Sequence, residues 1–234
     1  MAMLFDGVDQ YVSVADMGGI LGTTFSVSFW IKTTQAPVSA NFYEWPGVTG
    51  FENAGDGNDM LTGTISNTNK IGVNVGDSGR VESTSNVNDG NWHQVVITRN
   101  HTTGLAEVYF DGVLEGSATR DTGTKTTVMT VIGRVDDSGG TPEELAGTLD
   151  DFRLYDRALT AVEVQTIHAC RGTDAILQGL RRRYLFDGGA PGVAASGAGS
   201  IKDIAIDRAD GTPNGTTSPV YQESPLRSRR RLVA

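Results

Sequence analysis

The chain has a single cysteine among its 234 residues, Cys170, so no internal disulfide can hold it together and its fold does not depend on oxidation. It contains no apolar run approaching the about 18 residues needed to cross a bilayer as a helix. The opening MAMLFDGVDQ has no basic stretch leading into an apolar one, so no secretory signal is expected, and the N-x-S/T matches at Asn100 and Asn214 carry little weight without one. Phosphate-binding glycine loops and Cys/His zinc spacings are missing too. His93, His101 and His168 are scattered, with no Ser or Cys constellation around them, and read as structurally satisfied histidines. Glycoside hydrolysis needs two carboxylates facing each other across a cleft, about 5 to 9 Å apart. The pairs Glu143-Glu144 and Asp150-Asp151 are adjacent, and in a strand they would face opposite ways. These absences argue against an enzyme.

What is present is alternation. Tyr11–Val14, Phe25–Phe29, Lys70–Val75 and Glu107–Phe110 each alternate apolar with polar, the period of a strand with one face on a core. Asp6-Gly7, Asp89-Gly90 and Asp111-Gly112 punctuate them, and such dipeptides tolerate the positive φ of hairpin turns. Thirty glycines suit many short strands joined tightly, which points to a sandwich or barrel. Near the end the period changes. Thr160-Ala-Val-Glu163 is a capping box opening a helix through about Ala169, and Thr173 heads a second expected helix, 174–183. Tyr184–Gly188 echoes Met3–Gly7, after which Gly, Ala, Ser and Pro dominate. Composition alone predicts that much of 189–234 is unstructured.

Charge divides the chain in the same place. Residues 1–170 hold 9 Lys+Arg against 22 Asp+Glu, net −13, whereas residues 171–234 hold 10 against 6, net +4. A basic tail on an acidic body suits docking onto a second copy, or folding back on its own body.

Six segments in order, LFDGVDQYVSV (4–14), FSVSFWIKT (25–33), DGNWHQVVITR (89–99), AEVYFDGVLEGS (106–117), VIGR (131–134) and GTLDDFRLYDRALTAVEV (147–164), resemble the laminin G-like branch of the concanavalin A-like lectins. The resemblance implies an all-β fold, a two-sheet antiparallel jelly-roll sandwich, to which the local patterns add short C-terminal helices and an extended tail. The chain then divides into a jelly roll (1–169), a short helical segment (170–183) and a basic extension (184–234). Phe29 and Trp30 are expected in a strand crossing the core. Catalytic members of this wider fold carry alternating acids along one strand, E-x-D-x-E, and no such strand is found here. Residues 36–60 and everything past about 170 fit the pattern poorly.

Calcium is the cofactor such domains suggest, since a hard cation wants several oxygens from rigid turns. First and last strands of such jelly rolls are often neighbours, so Asp6 with Asp150 and Asp151 is the first candidate site. The loop carrying Asp56, Asn58 and Asp59 is a second, and Asp136-Asp137 a third; the alternative is that these acids cap turns. Tyr43 and Trp45 offer aromatic faces for a sugar, or else fill the core. Arg181, Arg182, Arg183, Arg227, Arg229, Arg230 and Arg231 are candidates for assembly contacts, favoured over nucleic acid because the acidic body repels a polyanion. The tail loosely resembles extensions on laminin G-like proteins of tailed phages. The expectation is therefore a non-catalytic virion surface protein, a capsid decoration or fibre component assembled in bacterial cytoplasm. Its partners would be further copies, capsid proteins and a host-surface glycan, with no membrane. The alternative is a free calcium-assisted lectin; a glycan-cleaving enzyme comes third.

Overall fold

The computed structural model describes residues 1–224, except positions 38, 54 and 56. In chain order the elements are β1 (Ala2–Asp6), β2 (Tyr11–Ser13), α1 (Gly18–Leu21), β3 (Phe25–Thr33), β4 (Thr49–Glu52) and β5 (Met60–Ile65). They continue with β6 (Lys70–Val75), β7 (Arg80–Asn86), β8 (Trp92–Arg99), β9 (Leu105–Phe110), β10 (Val113–Thr119) and β11 (Val131–Ile132). The last are β12 (Arg134–Asp137), β13 (Glu143–Glu144), β14 (Ala146–Tyr155), α2 (Ala161–Cys170), β15 (Leu180–Tyr184), β16 (Thr212–Asn214) and β17 (Val220–Gln222).

These form two large sheets. One runs β10-β9-β8-β3-β14-β1-β17, with β15 also paired to β14; the other runs β13-β12-β4-β5-β6-β7. A three-stranded sheet, β11-β2-β16, adds a further layer edge. Among these pairings β12 with β4 is parallel; the others between described strands are antiparallel. The inner faces share one core. Phe5, Phe29, Ile31, Val95 and Ile97 of the first sheet meet Met60, Ile65, Ile71, Val73 and Val75 of the second. The Asp111-Gly112 turn joins β9 to β10 with both residues at positive φ, 48° and 81°, as a two-residue hairpin requires.

The outer face of the first sheet is partly covered. Helix α2 starts with the expected capping box, Thr160 accepting from the Glu163 N–H and Glu163 from that of Thr160. It lays Val164 and Ile167 against Val96, Tyr109 and Tyr155, forming a second apolar cluster. Because both faces of β3 are thus covered, its alternation is invisible in burial. Phe29 points into the inter-sheet core, but Trp30 points the other way and stacks on His168 at 5.6 Å.

The C-terminal third departs most from expectation. Past α2 the chain makes turns and then strand β15, where a second helix at 174–183 was expected. The cause is capture of side chains: Arg153, almost fully buried, takes both carboxylate oxygens of Asp174 at 2.7 and 2.8 Å. Asp151 pairs with Arg153 at 2.5 Å and with Arg183 at 2.8 Å, and Arg183 also donates to the Gly172 carbonyl. Residues 189–224 are ordered as well. Strand β17 pairs with β1 and β16 with β2, and Tyr184, Phe186, Ala195, Ile201 and Tyr221 enter the main core. The tail closes its own sandwich.

Two expectations follow. A chain ending at Cys170 exposes the core that these side chains cover, and will lose cooperative thermal unfolding as read by circular dichroism; a sharp transition would show the extension to be dispensable. Asp151→Ala leaves two buried guanidinium groups short of their counter-charge. It should cost about 3–5 kcal/mol in urea denaturation, and a loss below about 1 kcal/mol would contradict the role given to the network.

Candidate functional site

A concave site on the second sheet is a pocket of about 500 Å³ lined by Tyr43, Glu44, Glu52, Asp137 and Glu143, with the Gly139–Thr141 turn at its rim. Its walls come from distant segments. Parallel pairing sets Asp137 at the end of β12 beside Glu52 at the end of β4, and Glu143 reaches the same place from β13, paired to β12. Tyr43 and Glu44 come from a short 3-10 turn, Phe42–Glu44.

That turn is anchored by Trp45. The indole is buried, its Nε1 donates to the Ser39 carbonyl at 2.9 Å, and the Arg80 guanidinium lies 4.9 Å from its ring centroid. Trp45 therefore supports the loop, whereas Tyr43 stays 37% exposed and available to a ligand. Of the two aromatic candidates from the sequence, Tyr43 lies at the surface and Trp45 fills the interior.

The acids of the pocket differ in environment. Hydrogen bonds from Ser39 Oγ and Asn41 Nδ2 hold the Glu44 carboxyl below its usual range. Burial, then the neighbouring Glu44 and Asp137 carboxylates, push Glu143 up. Beside the pocket, Glu144 is pushed to about 7, mainly by burial, against the opposing pull of Arg134 at 3.5 Å. Arg134 is divided among partners, bonding Asp136 at 2.7 Å and lying 3.6 Å from the Tyr11 ring centroid. Among the described residues no lysine or arginine lines the pocket.

The metal candidates take other places. Asp6 lies opposite Ala146, four residues along β14 from Asp150, which is about 13 Å of strand. Its carboxylate caps the turn by accepting from the Val8 N–H. Asp150 is buried and accepts from the Asp151 N–H and from Ser224 Oγ. Asp151, at φ 47° in the β14 bulge, turns to the arginines described above. The three are not brought together. In the second candidate loop Asp59 is buried and accepts from the Asn53 N–H, and the Asn58 carbonyl accepts from Thr127; Asp56 lies outside the described residues. Among the described residues no group of three His, Cys, Asp or Glu side chains is arranged to hold a metal ion.

The described members of the arginine set make ion pairs within the chain. Arg181 binds Asp207 and Asp156, Arg182 binds Asp207 and approaches Asp203, and Arg183 binds Asp151. Their forks are occupied within the chain because β15 runs beside β14 and faces a loop rich in aspartate. Arg227, Arg229, Arg230 and Arg231 lie outside the described residues.

A laminin G family model of the concanavalin A-like lectin/glucanases superfamily matches residues 6–165. The chain belongs to that superfamily. Its lectin-like sandwich is similar to that of a Bacteroides ovatus protein provisionally described as carbohydrate binding, with TM-score 0.68 and 21% identity over 97% of this chain. The chain spans 61% of the length of that protein. It is also similar to a heptameric SAP-like pentraxin from Limulus polyphemus, with TM-score 0.54 and 17% identity over 90% of this chain and 94% of the other. A sialidase from Trypanosoma rangeli shares the fold at TM-score 0.54 and 19% identity, covering 74% of this chain and 28% of the enzyme. At these identities the likeness is one of fold. No curated protein matches the chain.

Sequence reasoning reached Tyr43 through its aromatic, polar neighbourhood. It missed Glu52 and used Glu143 only as half of an adjacent pair. Nothing local shows that β12 pairs with β4.

Glu144 gives this lectin-like domain a pH signature. Its pKa rises from an ordinary 4.5 to about 7 on folding, so its contribution to stability is fully present below about 4.5 and is lost as pH rises through about 7. Glu144→Gln should unfold at higher urea than the parent at about pH 8, by on the order of 1–2 kcal/mol after solvent screening, with no gain near pH 4. An equal change at both pH values would contradict this assignment.

Proposed function

We propose that the protein is a non-catalytic carbohydrate-binding module and that a sugar ring occupies the Tyr43 pocket. The observation that carries this reading is one part-exposed tyrosine lining a pocket that four carboxylates also line. A pyranose presents C–H groups on its faces, which suit an aromatic ring, and hydroxyls around its edge, which donate well to carboxylates. Trp45 and the Ser39–Glu44 bond hold the aromatic and an acid in place before a ligand arrives, which lowers the ordering cost of binding. The printed description of the Bacteroides ovatus relative supports the same ligand class.

A glycan array followed by calorimetric titration tests it. Tyr43→Ala should lose about tenfold or more in affinity, about 1.4 kcal/mol, with an unchanged melting temperature; unchanged affinity would remove the sugar from this pocket. Because Glu143 is raised while Glu44 is lowered, the same samples are assayed for new reducing ends. None is expected, and their release, abolished in Glu143→Gln, would make Glu143 an acid catalyst. Repeating the titration with EDTA reads the calcium expectation: direct aromatic and carboxylate contacts survive chelation, whereas loss of binding would place a cation between the pocket acids and the glycan.

A further inference from the structure

The first sheet carries an open cleft on its outer face, beside the part covered by α2. One row of side chains crosses five adjacent strands there: Trp92 lies opposite Lys32, Lys32 opposite Thr148, Thr148 opposite Leu4, and Leu4 opposite Val220. Four strand spacings make the row about 19 Å long. The cleft holds about 570 Å³, and Gln222 and Ser224 close its far side. Trp92 is partly exposed and Lys32 is exposed, whereas Trp30 and Trp45 are 3% and 8% exposed. Among the described residues of the lining Lys32 is the positive group and Glu223, at one end, the negative one.

We infer that this cleft is a second glycan subsite, taking an oligosaccharide that carries hexuronate residues. The indole face accepts the C–H face of one ring. Lys32 stands next in the row, where an ammonium meets a carboxylate on the neighbouring ring. Thr148 Oγ and the Gln222 amide are donors and acceptors for hydroxyls further along. Among the described residues the Tyr43 pocket has four acids and no base, so it repels the ligand that Lys32 attracts. Overall net charge of −9 opposes a polyanion at long range, but at physiological salt such repulsion is screened beyond about 8 Å, so contact with Lys32 decides. The inference is independent of the pocket on the other sheet.

Trp92 provides the readout, because the other two indoles are buried. Acrylamide quenching of tryptophan fluorescence is followed in the full chain carrying Tyr43→Ala, so that the first pocket contributes nothing. The probes are a short oligogalacturonate and the neutral galactan oligomer of equal length. The acidic oligomer should shield Trp92, and adding Lys32→Ala should weaken that shielding at least tenfold with no change in melting temperature. Equal shielding by both oligomers would overturn the uronate assignment. No shielding by either would overturn the cleft as a glycan site, as would quenching that rises only when residues 225–234 are removed.

Discussion

Asp151 holds two arginines in a space almost closed to water, and the path of the last third of the chain depends on that arrangement. Desolvating these charges is expensive, and a buried pair contributes little net stability compared with apolar packing of the same shape. Its effect is on choice of conformation. Arg153 must have Asp174, Arg183 must have Asp151, and the two together bring β15 beside β14 and exclude a helix over the same residues. From there the chain is positioned to send Tyr184 and Phe186 into the core and to place β17 at the edge of β1.

This closure also shapes the two faces. With α2 covering part of the outer face of the first sheet, the row from Trp92 to Val220 lies next to the stack of Trp30 on His168. The second sheet has no helix over it among the described residues, and its edge strands β12 and β13 gather acids. One face offers an aromatic with a lysine and the other an aromatic with carboxylates. The acidic composition of the body is thus unevenly spent, and net charge alone describes neither surface.

His93 illustrates the same point at smaller scale. Its ring nitrogens face Asp111 at 2.8 Å and Asp89 at 3.0 Å, and the Asp111 bond raises its pKa despite partial burial. A histidine that reads as isolated in sequence thereby links the turn before β8 to the hairpin after β9. Its partners are supplied by turns on both sides.

Local chemistry determined much of this protein from sequence alone. Side-chain alternation marks β2, β3, β6 and β9, the Asp-Gly dipeptides mark turns, and Thr160 with Glu163 marks the start of α2, because each depends only on residues a few positions apart. The six ordered segments were enough to assign the sandwich. Tertiary structure alone decided the rest. Asp151 and Arg183 meet because β14 and β15 pair, and Glu52 and Asp137 meet because β4 and β12 pair in parallel. Alternation says which face of a strand is buried, not which strand lies beside it. The small-residue composition of 189–224 suggested a solvated tail, yet those residues are held by edges and core side chains that only the folded sandwich provides.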